Sequence, residues 1–164
     1  MKLSINGIKE QEAWKKAGIA LPGYDVEAAS ENAKENPVWV HFGIGNIFRV
    51  FIGGIADGLL EEGVLDRGIT CVETFDYDVV DKIYDSYDNL GLSVILHGDG
   101  TREYKVVGAF AEAVKAQSSN AAQWKRLKEI FTNKSLQMVS FTITEKGYAL
   151  QLSLIHISEP TRPY

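Results

Sequence analysis

The spacing of apolar and polar positions changes period several times along this chain, and each change predicts an element. Val38-Trp39-Val40-His41-Phe42 is a short run of β-formers stopped by Gly43, the pattern of a buried parallel strand. Phe48, Phe51, Ile52, Ile55, Leu59 and Leu60 then recur three and four apart. That spacing predicts a helix with one wide apolar face, ended at Gly63. Ile69 to Thr74 predicts a second strand. Asp76 and Asp78 can cap a following helix that carries Val79, Val80, Ile83, Tyr84 and Tyr87 at helical spacing. The period then drops to two. Leu92-to-Leu96 and Tyr104-to-Val107 flank His97-Gly98-Asp99-Gly100-Thr101, which reads as a hairpin with a longer loop. A helix over about Asn120 to Phe131, with Trp124, Leu127 and Phe131 on one face, and a strand from Met138 to Ile143 complete the pattern.

Residues 1–37 are more mixed. Glu10 to Lys16 predicts a short helix with Trp14 on its apolar side. Leu21-Pro22-Gly23 breaks the chain, and a polar stretch from Glu27 to Asn36 ends at Pro37. This region is expected to be an arm that packs on the domain spanning 38–150. Strand, helix, strand, helix, hairpin, helix, strand is an α/β order. It predicts a Rossmann-like parallel sheet with an inserted antiparallel hairpin, incomplete at the C-terminal end.

Composition narrows the function classes. The 164 residues are 45% hydrophobic and 24% charged, ordinary for a globular protein, and the formal net charge is -5. A net negative chain without a Lys/Arg cluster argues against a nucleic-acid surface. No apolar run is long enough to span a bilayer, and the opening residues have no signal-peptide core. A cytoplasmic protein is therefore expected, with neither a membrane nor a nucleic acid among its partners. Cys71 is the only cysteine, which excludes an internal disulfide and a zinc site built on several thiolates. It lies among β-formers and reads as a small buried apolar residue. His41, His97 and His156 share no metal-ligand spacing, so no metal site is expected.

Gly43-Ile44-Gly45 lies between a predicted strand and a predicted helix, where a phosphate-binding turn belongs. The first glycine allows the tight turn, and the second lets the backbone approach a pyrophosphate. The helix start then offers unpaired N–H groups and a positive dipole end. Phe48 stands where the third glycine of G-x-G-x-x-G would permit close packing of helix on strand. A dinucleotide site also wants an acid at the end of the second strand, to accept from the ribose hydroxyls. Asp76 is in that place and Glu73 is a second candidate, although Asp76 also reads as a plain helix cap. An acid here favours NAD over NADP, because a carboxylate repels a 2′-phosphate. Arg49, one turn into the helix, either reaches a phosphate or lies on the surface.

Two segments carry a family resemblance. His41-Phe42-Gly43-Ile44-Gly45-Asn46-Ile47-Phe48-Arg49 resembles the opening fingerprint of the polyol-specific long-chain dehydrogenases, the family of mannitol dehydrogenase, fructuronate reductase and tagaturonate reductase. Ser140 to Tyr148 resembles that family's T-E-x-G-Y turn after a later strand. Leu21 to Asp25, the hairpin and Val107-Gly108-Ala109-Phe110 also follow its pattern, so the likeness covers about Leu21 to Leu150. It implies an NAD(P)-binding sheet, with a separate helical domain that supplies a lysine, asparagines and a histidine as K-x-x-x-x-N-x-x-H. The implied reaction is hydride transfer between nicotinamide and a polyol or sugar-acid carbon. The lysine serves as base and the asparagines polarise the oxygen. By position, Gly43, Gly45, Asn46 and Arg49 would surround the pyrophosphate, and Thr144 and Glu145 would lie nearer the nicotinamide.

The sequence departs from the family in two places. Many members read N-F-H-R-A-H after the second glycine, whereas here Asn46 is followed by Ile47, Phe48, Arg49, Val50 and Phe51. That loop is closer to the mannitol-phosphate dehydrogenases. K-x-x-x-x-N-x-x-H does not occur in the chain, so no catalytic residue is assigned within it. Residues 151–164 match nothing in the family, and their end, SLIHISEPTRPY, looks like translated sequencing-adapter read-through. The expectation is the cofactor half of a polyol or sugar-acid oxidoreductase, truncated, inactive alone and carrying a non-native tail. Two other classes remain open. One is an S-adenosylmethionine-dependent methyltransferase, which also uses a glycine turn and an acid after the second strand. The other is a free-standing nucleotide-binding module.

Overall fold

The structure is a computed structural model, and it describes residues 1–143. Strands β2 (Trp39–Phe42), β3 (Ile69–Glu73), β6 (Phe110–Lys115) and β7 (Met138–Phe141) form one sheet in the order β6-β3-β2-β7, every neighbouring pair parallel. The predicted hairpin is β4 (Gly91–Leu96) and β5 (Arg102–Val107). It is inserted in the chain between β3 and β6, but it builds a sheet of its own with β1 (Ile19–Ala20), which runs parallel to β5. Asp99 Oδ1 closes the hairpin loop by accepting from the Thr101 N–H and hydroxyl, and Gly100 takes φ +86°.

Each face of the parallel sheet has its own core. On one face Val40, Val72, Val114, Leu127 and Ile130 meet under α5 (Ala121–Thr132), which Asn120 caps by accepting from the Gln123 N–H. Burying such side chains stabilises the fold by about 1.5–3 kcal/mol each. On the other face Ile44, Phe48, Ala56, Leu60, Ile69, Cys71, Tyr84 and Phe110 pack beneath α4 (Gly53–Glu61). A third cluster, around Trp14, Val26, Leu90 and Val106, joins the N-terminal helices α1 (Ile5–Ile8) and α2 (Gln11–Lys16) to the smaller sheet.

Several elements differ from the sequence reading. The polar stretch 27–36 belongs to a ten-residue helix, α3 (Val26–Glu35), capped by Asp25 and packed on β6 and β3. Its buried positions are Val26, Ala29 and Ala33, so small side chains rather than a bulky stripe define its inner face. Phe110–Lys115 is a full strand. The helix after the glycine turn opens with a π-helical turn over Phe48–Ile52 before α4 begins. A π turn carries one extra residue, about 100° of rotation. It swings Phe51 and Ile55 outward, to 65% and 50% exposure, and turns Gly53, Ala56, Asp57 and Leu60 inward. A second π turn, Val80–Tyr84, follows β3 and runs into a 3-10 turn over Asp85–Tyr87.

Candidate functional site

The crevice beyond the carboxyl ends of β2 and β7 is where this sheet changes direction. From β2 the chain crosses by α4 to β3 on one side, and β7 returns to β2 on the other after α5 has crossed the opposite face. Open α/β sheets bind ligands at such a switch point. The turn that leaves β2 is Gly43-Ile44-Gly45, as the sequence predicts.

Gly43 takes φ +87°, and a Cβ there would stand 2.5 Å from the Thr142 carbonyl oxygen just past β7. Glycine is thus required for the left-handed turn and for the close approach of the neighbouring strand. Gly45 is the opposite case. It is exposed, and a Cβ there would meet nothing within 4 Å, so the backbone borders open space. The Gly45 carbonyl accepts from the Arg49 N–H at 3.1 Å and so begins the helix. Asn46 and Ile47, both exposed, form its first turn. Phe48, in the third-glycine position, is fully buried and stacks on the His41 ring at 4.2 Å. Close helix-to-strand packing is supplied instead by Gly53, where a Cβ would run into the Phe110 ring.

His41 ties the turn to β7. The Trp39 indole N–H donates to Ser140 Oγ at 2.7 Å, and Ser140 Oγ lies 2.8 Å from His41 Nδ1. His41 Nε2 lies 2.8 Å from Thr142 Oγ1. An indole can only donate, so the network is complete when Ser140 gives its proton to Nδ1 and Nε2–H donates to Thr142. Burial pushes the His41 pKa down to about 4, against a smaller opposing pull from a backbone hydrogen bond to Gly43. His41 is therefore a neutral brace at neutral pH.

The helix side holds the same turn. The Tyr84 hydroxyl, on a residue only 1% exposed, donates to the Ile44 carbonyl at 2.9 Å. Burial raises the Tyr84 pKa, so the phenol stays protonated and able to donate. Arg49 Nη1 reaches the same carbonyl at 3.3 Å, its Nη2 donates to Asn46 Oδ1, and its guanidinium stands 6.0 Å from the Tyr84 ring centre. Arg49 is thus folded back on its own turn, between the two positions that the sequence leaves open for it.

Both acids stand at the end of β3. Glu73 closes the strand, and its Oε1 accepts from the N–H groups of Thr74, Phe75 and Asp76 at 2.9, 3.0 and 3.4 Å. Its Oε2 has no hydrogen-bond partner among the described residues, and the residue as a whole is 8% exposed. Asp76 is exposed on the loop and its side chain makes no hydrogen bond among the described residues, so the turn is capped there by Glu73 and not by Asp76. Phe75, between them, is 91% exposed. Thr144 and Glu145 lie outside the described residues. The Cys71 thiol is fully buried, and burial raises its pKa well above the ordinary thiol value, which suits core packing.

Over 151 residues, 92% of the chain, the sequence is 47% identical to D-mannonate oxidoreductase of Thermotoga maritima. The chain is thus similar in sequence to a sugar-acid oxidoreductase. The chain spans 28% of that relative's length. A D-sorbitol dehydrogenase in substrate-free form superposes on 80% of the chain with a TM-score of 0.66 at 27% identity, the match covering 26% of that enzyme. Pseudomonas fluorescens mannitol 2-dehydrogenase, solved with NAD and D-mannitol, superposes on 90% of the chain with a TM-score of 0.69. Its 24% identity, over 28% of its own length, speaks to fold. No family model matches the sequence. Among the described residues no helix is long and apolar enough to cross a membrane, and no cluster of three metal-ligating side chains occurs.

Within this dehydrogenase-like segment the sequence reading missed the residues that set the turn from below. Ser140 and Thr142 sit in a predicted strand and Tyr84 in a predicted helix, with nothing local to mark them as partners of Ile44 or His41. Asp57, fully buried, was invisible because it lies in an apolar helical run. Its Oδ1 accepts from the Tyr24 hydroxyl at 2.5 Å and the Gly108 N–H at 2.9 Å. Its Oδ2 stands 2.7 Å from Lys105 Nζ as an ion-pair contact without hydrogen-bond alignment.

Proposed function

We propose that this chain is the cofactor-binding portion of an NAD-dependent polyol or sugar-acid oxidoreductase, of the mannitol 2-dehydrogenase or fructuronate reductase type. The observation that carries the reading is a glycine turn at the switch point with open space at Gly45 and a carboxylate at the end of the next strand. Gly43, Gly45 and Asn46 would border the pyrophosphate. Glu73 Oε2, with Asp76 beside it, would accept from the ribose hydroxyls, and Phe75 offers an exposed ring for the base. Two carboxylates there disfavour the 2′-phosphate of NADP. When bound, NAD supplies a hydride acceptor. These residues hold and orient it, while the lysine–asparagine–histidine run expected to handle the sugar does not occur in this sequence.

Titration calorimetry with NAD, NADP and S-adenosylmethionine tests the reading. Saturable NAD binding is expected, weakened about tenfold or more in Glu73→Gln, which keeps an acceptor for the three loop N–H groups but loses the charge. Binding of S-adenosylmethionine without NAD would instead assign the turn to methyl transfer.

A further inference from the structure

The Ile44 carbonyl is the one backbone acceptor in the glycine turn held by two side chains, and neither side chain is needed to close the helix. Its oxygen points down to the buried Tyr84 hydroxyl, with Arg49 Nη1 as the second donor. The peptide is trans, so the Gly45 N–H on the same plane points the opposite way. That direction is away from the core, and Gly45 itself is exposed, with nothing within 4 Å of where a Cβ would stand. Gly45 lacks a Cβ, and glycine resists rotation of its peptide plane least of all residues. The residue that admits a phosphate is therefore also the one most able to flip. A flipped plane would aim a carbonyl oxygen at the crevice and repel an anion.

We propose that Tyr84 is a positioning residue that locks the Ile44–Gly45 peptide with its N–H toward the crevice, and that Arg49 reinforces the lock from the turn itself. The proposal rests on the dinucleotide reading above and adds to it. Arg49 acts on the turn's geometry, and the pyrophosphate is met by backbone N–H groups whose aim is set from the second π turn.

The test compares wild type with Tyr84→Phe, which retains the buried ring and removes only the donor. In the ligand-free chain, the Gly45 N–H residual dipolar coupling and the Ile44 carbonyl shift should change while the couplings of β2 and β3 stay put. NAD should bind about five- to tenfold more weakly, the loss of one hydrogen bond, whereas adenosine, which has no pyrophosphate, should bind both forms alike. Unchanged Gly45 coupling overturns the lock, whatever NAD does. Equal loss for adenosine and NAD also overturns it, since that marks general loosening. Absence of NAD binding by wild type overturns the dinucleotide reading instead, and the Gly45 coupling still reports whether the lock exists.

Discussion

The two faces of the parallel sheet are built from different materials. Under α5 the core is aliphatic: Val40, Val72, Val114, Leu127 and Ile130. Under α4 the same sheet buries His41, Asp57 and the Tyr84 hydroxyl, each held by named polar partners, with Asp57 Oδ2 facing Lys105 as an ion-pair contact alone. The aliphatic side resists unfolding through area removed from water, which is non-directional. The other side spends polar groups on direction, because hydrogen bonds fix which way a backbone turn points. That difference falls on the face from which the glycine turn rises.

The largest expected effect is at Asp57. Asp57→Ala would leave the Tyr24 hydroxyl, the Gly108 N–H and Lys105 facing an empty site, at a cost of about 3–5 kcal/mol. Urea denaturation measures it, and a loss under about 1 kcal/mol, as for an exposed ion pair, would erase the contrast between the faces. His41 comes next. In the unfolded chain its imidazole takes a proton below about pH 6.5, but the folded one refuses it down to about pH 4. Stability should therefore fall as pH drops through that window, by up to about 3 kcal/mol for this residue alone. His41→Asn should lack that portion of the slope. A wild-type-minus-variant difference that stays constant from pH 6.5 to 4 would show that the brace does not resist protonation. The smallest effect sharpens the comparison from the other side. Thr70, fully buried, leaves its Oγ1 without a partner among the described residues, on the face whose buried cluster is otherwise apolar. Thr70→Val keeps the shape and should raise stability by about 1 kcal/mol, read as an upward shift in the urea midpoint at constant m-value.

Much of this fold was legible from periodicity. The Met138 strand, the helix starting near Asn120 and the Asp99 hairpin announce themselves locally, because each depends on neighbours within a few residues. α3 did not, since alanine carries its inner face. The stripe after the glycine turn was read correctly as helical and wrongly in phase, because a π turn is a tertiary accommodation that a 3.6-residue period cannot foresee. The site divides along the same line. Gly43 and Gly45 follow from a short motif, and Glu73 from its place at a strand end. Ser140, Thr142 and Tyr84 act on the turn across 40 to 101 positions of sequence, and no local pattern encodes such distances.

The 2.5 Å approach between a Gly43 Cβ and the Thr142 oxygen has a consequence for assembly. A strand–turn–helix motif is usually pictured as a local object that forms once its own residues are present. Here the turn has one wall made by a strand nearly a hundred residues later, and its brace, His41, lacks its Ser140 and Thr142 partners until that strand docks. Contacts of that separation form late, because the loop between them must close first. Hydrogen exchange during refolding should therefore show the amides of the glycine turn gaining protection together with β7, after the β4–β5 hairpin is already protected.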